Sequence, residues 1–78
     1  MRSNEENSAR QILSNVLGVS VDLIKSDAGI GTLREWDSLA HLRLILFLEE
    51  MTGEKIETDV MLNIIDLKSL ENYISQKL

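Results

Sequence analysis

The chain has 78 residues, no cysteine and a net charge of −5, from 13 acidic and 8 basic side chains. That length allows one small domain, and the missing cysteines exclude a disulfide framework and a thiolate metal site. The acidic balance argues against a general nucleic-acid binder, which needs a basic face toward phosphates, and favours partners with basic surfaces.

The elements follow in chain order. Residues 1–7 are expected to be flexible. Ala9, Ile12, Leu13, Val16 and Leu17 recur at helical spacing, which predicts an amphipathic first helix over about 5–17, with Asn4 as N-cap and Gly18 as its stop. The next stretch, about 19–36, is a long loop broken by Gly29 and Gly31. Loops of this length are uncommon in compact domains unless they do something. Val21, Leu23, Ile24, Ile30 and Leu33 are expected to pin it to the core, and Trp36 is expected to pack inward from its end.

A second helix is predicted from Ser38 to Thr52, ending at Gly53. A short helical turn is predicted near Asp59–Asn63. A last helix over about 67–77 has Asp66 as N-cap and buries Leu67, Leu70, Tyr73 and Ile74. No segment alternates with the period of a strand. The apolar runs are too short to span a membrane, and the N-terminus lacks the apolar core of a secretory signal. The expectation is one all-α domain over 1–78, cytoplasmic and monomeric, folded as a four-helix bundle with three longer helices and one short one.

The second helix carries the functional signal. Asp37 suits its N-cap, where a carboxylate can accept the N–H of Leu39 or Ala40 and face the positive end of the helix. Ser38 then falls in the first turn, beside free backbone N–H groups that favour a phosphate. The plain alternative is that both residues only cap. Beyond them, Leu42, Leu44, Ile45, Leu46, Phe47 and Leu48 coat nearly the whole circumference, whereas a surface helix needs one stripe. Leu44, Ile45 and Leu48 can face the core. Leu39, Leu42 and Leu46 form a second line, which is either buried too or left for a partner.

Asp37–Ser38–Leu39, preceded by a glycine-bearing loop and followed by "HLRLILFLEEMTGEKI", resembles the acyl carrier proteins, with Glu49–Glu50, Gly53 and Ile56 at matching places. The short third helix fits "TDVMLNI" and the last fits "DLKSLENYISQKL". The likeness runs over roughly 8–77. It implies that Ser38 bears a 4′-phosphopantetheine arm, transferred from coenzyme A by a phosphopantetheinyl transferase with Mg²⁺. The arm's thiol would hold acyl or aminoacyl groups as thioesters, so the chain itself would need no cysteine and would not be an enzyme. The implied partners are that transferase, a loading ligase, and acyltransferase or synthase enzymes. Leu39, Leu42, Arg43, Leu46, Glu49 and Glu50 are the implied contact residues, with Glu35 and Asp37 adding acidic charge at the other end of the helix.

Two positions depart from the carriers of fatty-acid synthesis, which usually have acids two and five places after the serine. Here those places hold Ala40 and Arg43. Trp36 resembles instead the W-D-S-L openings of freestanding carriers in specialised pathways. Other chemistry is poorly supported. His41 lies one turn from Ser38, but no G-x-S-x-G elbow accompanies them, and the histidine reads as solvated or partner-facing. Asp22, Asp27 and Glu35 match no calcium loop and read as solvated charges. A second class of function is an unmodified helical module that docks through Leu39, Leu42 and Leu46.

Overall fold

A computed structural model describes residues 8–77 in full and the backbone of residues 2–7. Among the described residues there are four α-helices and no strand: α1 (Arg2–Leu17), α2 (Ser38–Thr52), α3 (Thr58–Asn63) and α4 (Leu67–Lys77), with a 3-10 turn at Val21–Leu23. The expected all-α bundle is therefore the observed one. Asn4 lies inside α1 and is not its N-cap, because the helix already begins at Arg2. The side chain of Asn4 and the expected flexibility of residues 1–7 lie outside the fully described residues.

The predicted stripes form the core. Ala9, Ile12 and Leu13 of α1 are buried together with Leu44, Ile45 and Leu48 of α2 and Leu67, Leu70, Tyr73 and Ile74 of α4. α1 packs against both α2 and α4. Helix ends follow local chemistry. Asp66 Oδ1 accepts the Ser69 N–H at 2.8 Å, and Ser69 Oγ accepts the Asp66 N–H at 3.0 Å. This is a reciprocal capping box with serine in the third helical place. The Ser69 hydrogen bonds hold the Asp66 carboxyl below its ordinary range. A carboxyl lowered on folding stabilises the folded state above its unfolded pKa, and that contribution is lost as pH falls through the folded value. α2 ends at Gly53, whose φ of 73° is left-handed and whose N–H bonds the Glu49 carbonyl. Glycine adopts that conformation without strain.

The long first loop is packed, though by other residues than the pattern suggests. Ile24, Ala28 and Trp36 are buried, and Val19 and Leu33 pack partly against the core. Val21 is half-buried, whereas Leu23 and Ile30 are exposed. The side chains of Leu23 and Ile30 therefore do not pin the loop. Backbone bonds do much of that work. Arg10 Nε donates to the Ile24 carbonyl at 2.7 Å, and Ser14 Oγ donates to the Val19 carbonyl at 2.6 Å. Near its middle, the loop pairs with the chain entering α4. The Ile30 N–H reaches the Ile65 carbonyl, and the Leu67 N–H reaches the Ala28 carbonyl, each at 2.9 Å. Gly29 makes this approach possible: a Cβ there would lie 2.9 Å from the Ile65 carbonyl oxygen. The pairing fixes the loop across the bundle and delivers Trp36 to the start of α2.

Candidate functional site

α2 begins where the sequence places it. Asp37 has extended backbone, and its Oδ1 accepts the Ala40 N–H at 2.9 Å. The Asp37 carbonyl accepts the His41 N–H at 2.8 Å. The Ser38 and Leu39 amides lie in the first turn, outside the helix's own hydrogen-bond ladder. Ser38 is exposed. Ser38 thus stands at the positive end of a helix, exposed and compatible with an attached phosphate.

The apolar line is exposed too. Leu39, Leu42 and Leu46 are 60%, 50% and 57% accessible, while Leu44, Ile45 and Leu48 on the opposite face are buried. This resolves the double coating of α2: one stripe serves the core, and the other faces outward. Arg43 and Glu50 are exposed alongside that line. Glu49 is half-buried, and its Oε2 accepts the Ile56 N–H at 2.8 Å, tying the end of α2 to the chain entering α3. Ala40 is buried, so the position two after the serine faces inward.

His41 is not a freely solvated side chain. It is half-buried, and both ring nitrogens are engaged. The Trp36 indole N–H donates to His41 Nδ1 at 3.1 Å. Indole nitrogen can only donate, so Nδ1 must be the bare nitrogen, and Nε2 carries the proton. Nε2–H then donates to the Met61 carbonyl at 2.9 Å. His41 therefore joins the loop, α2 and α3. With both nitrogens committed, it is not placed to serve as a base for Ser38. Sequence alone offered no signal for this role, because the partners lie 5 and 20 residues away.

Around Ser38 the surface is concave. Ile30 from the loop, Ser38, His41 and Leu42 from α2, and Met61 and Leu62 from α3 line a groove of about 410 Å³. That volume falls at the lower end of small-molecule sites, which run from roughly 300 to 1,000 Å³. Its rim is apolar: Ile30, Leu42 and Leu62 are all exposed. No group of three or more metal-ligating side chains occurs among the described residues, and Asp22, Asp27 and Glu35 are exposed. None of the described helices is long and apolar enough to cross a membrane.

Comparison with known proteins gives a consistent answer. Acyl carrier proteins from two strains of Nitratidesulfovibrio vulgaris, DP4 and Hildenborough, are each 32% identical to this chain over 72 residues. The match covers 92% of this chain and 95% of each relative. No family model matches the chain.

Proposed function

The chain belongs to the acyl carrier protein family, a carrier and not an enzyme, and from that premise we propose that Ser38 bears a 4′-phosphopantetheine arm. A phosphopantetheinyl transferase with Mg²⁺ would join Ser38 Oγ to the β-phosphorus of coenzyme A, with the adenosine bisphosphate leaving. The bound arm supplies a terminal thiol that holds acyl or aminoacyl groups as thioesters. The chain's own residues do the positioning. Asp37 caps α2 and orients its first turn, the free amides there suit the phosphodiester, and the exposed helix face meets the enzymes that load and unload the arm.

The observation that carries this reading is an exposed Ser38 directly after a capping aspartate, beside an outward apolar line. Incubation with coenzyme A, Mg²⁺ and a broad-specificity transferase is expected to add one phosphopantetheine mass per chain. Ser38→Ala is expected to remain at its unmodified mass. An adduct on that variant would move the attachment site elsewhere.

Partner choice rests on the same face. Leu39, Leu42 and Leu46 supply apolar contact, and Glu50, Glu49, Glu35 and Asp37 supply acidic attraction at its two ends. Arg43 lies within that field and would repel a lysine or arginine placed opposite it, while favouring a partner with an acid there. We read the partners as a dedicated loading ligase and acyltransferase or synthase enzymes of a specialised pathway. The carrier works as a single cytoplasmic domain over residues 1–78, as a monomer. Arg43→Glu is expected to slow loading by the dedicated ligase several-fold at low ionic strength, with the gap closing as salt screens the charges. Equal loading rates for both forms at every salt concentration would reduce Arg43 to a solvated residue.

A further inference from the structure

We propose that Trp36 and His41 form a polar staple across the start of α2, and that the staple presents Ser38 to the transferase in a first turn that is already formed. The inference rests on the carrier reading for the reaction it serves, and on the geometry of the helix start for the staple itself.

α2 begins with little packing of its own. Ser38 and Leu39 are exposed, and Ala40 is the first buried residue of the helix. The Ser38 and Leu39 amides have no place in the helical ladder. The Ala40 N–H bonds Asp37 Oδ1 at 2.9 Å, and the His41 N–H bonds the Asp37 carbonyl at 2.8 Å. Both bonds end on Asp37. They close the turn, but they do not fix the direction in which the chain enters it.

That direction is set by the residues on either side. Asp37 is the N-cap, which puts Trp36 one place before the cap and His41 at the fourth helical place. In many helices an apolar pair at these same places packs together and fixes the entry angle of the chain. Here the pair is an indole and an imidazole, joined from Trp36 Nε1–H to His41 Nδ1 at 3.1 Å, with ring centroids 6.1 Å apart. Each ring is anchored away from the helix start. Trp36 is 1% exposed within the core cluster, and its backbone N–H donates to the Leu33 carbonyl at 2.9 Å. On the other side, His41 Nε2–H donates to the Met61 carbonyl. α3 is held independently of that bond. Ile64 at its C-cap is buried in the core, Met61 packs partly against the core, and the Ile56 N–H before the helix is bonded to Glu49. α3 therefore orients the imidazole, and the imidazole and indole together tie the first turn of α2 to the core. Ser38 lies in the turn that they bracket. Trp36 and His41 are thus positioning residues for Ser38.

A turn formed in advance spares the transferase the cost of ordering it on docking, so the effect belongs in KM and not in kcat. Wild type, His41→Ala, Trp36→Phe and His41→Asn are compared as carrier substrates with coenzyme A, Mg²⁺ and a broad-specificity transferase. The rates are taken where circular dichroism shows each form fully folded. His41→Ala removes the staple while placing a better helix former at that position. Its KM is expected to rise about threefold or more, as loss of a hydrogen bond and a ring contact implies, with kcat unchanged. Trp36→Phe breaks the same bond from the other side and should raise KM in the same way. His41→Asn should return KM close to the wild-type value, because its amide oxygen stands near the place of Nδ1 and accepts from the indole. A second measurement needs neither enzyme nor arm. In unmodified wild type, the backbone order parameters of Ser38, Leu39 and Ala40 are expected near the rigid value of roughly 0.85, and in His41→Ala they should fall toward roughly 0.6. Leu44 and Leu48 should keep their wild-type values, which separates a local staple from a general role in stability. An unchanged KM in His41→Ala or Trp36→Phe would overturn the staple, as would a His41→Asn variant as poor as His41→Ala. Order parameters at the first turn that match wild type in His41→Ala would overturn it too. If wild type itself gains no mass, the carrier reading fails, while the order parameters still decide the staple.

Discussion

Trp36→Ala is expected to cost about 3–5 kcal/mol, the range for removing a large buried aromatic. The indole is the largest of the fully buried side chains and belongs to the one core cluster shared by α1, α2, α4 and the loop. A domain of 78 residues has a total stability of roughly 4–12 kcal/mol at the usual per-residue scale. The loss would therefore leave much of the population unfolded or close to it. Two costs add. The cavity removes packing for the loop where it enters α2, and His41 Nδ1 loses its donor. Trp36→Phe separates them, since it keeps most of the ring but no N–H. That variant is expected to lose only about 1–3 kcal/mol, the cost of an unpaired buried polar atom plus a smaller cavity. Because Trp36 is the only tryptophan, both variants are followed by helical circular dichroism in urea. Similar midpoints for Ala and wild type would show that the indole contributes little to holding the loop.

The parts of this fold readable from sequence are those governed by neighbours within one helical turn. Asp37 and Asp66 were legible as caps because capping joins residues three apart, and Ala40 and Ser69 are the observed donors. Gly53 was legible as a stop because the left-handed turn it makes suits few other residues. The double apolar coating of α2 was visible, although spacing could not tell a second buried face from an exposed one. The structure separates them into Leu44, Ile45 and Leu48 inside and Leu39, Leu42 and Leu46 outside.

The loop was harder to read because it has no period. Which of its apolar residues turn inward is decided by α1 and by the chain entering α4, far away in sequence. Leu23 and Ile30 accordingly stand outside, while Ala28, too small to attract notice, is buried. His41 shows the same limit at the site. A histidine one turn from a serine suggests a pair, yet its hydrogen bonds go to an indole in the preceding loop and to a carbonyl in α3. Glu49 looked like half of an exposed acidic pair, but it also bonds the Ile56 amide and so helps to close the α2–α3 turn.

Leu48→Ala is expected to cost about 2–5 kcal/mol, and it tests the bundle and the loop together. Leu48 is completely buried on the inward face of α2. It lies away from Ser38 and the outward leucine line, so modification of the folded fraction should continue. Alanine keeps the helix, since its helical propensity is at least that of leucine. The loss is thus a packing loss, made of removed apolar contact and the cavity left behind. In urea, with a slope on the order of 1 kcal/mol per molar for so small a domain, the midpoint should fall by about 2 M or more. Two signals report on different parts of the molecule: circular dichroism follows the helices, and Trp36 fluorescence follows the end of the loop. If the loop is packed as one unit with the bundle, both transitions should shift together and coincide. A midpoint shift below about 0.5 M would place Leu48 outside a tightly packed core. Fluorescence that changes well before the helices melt would instead mean that the loop comes away by itself, and the single core joining Ile24, Ala28 and Trp36 to the helices would have to be divided.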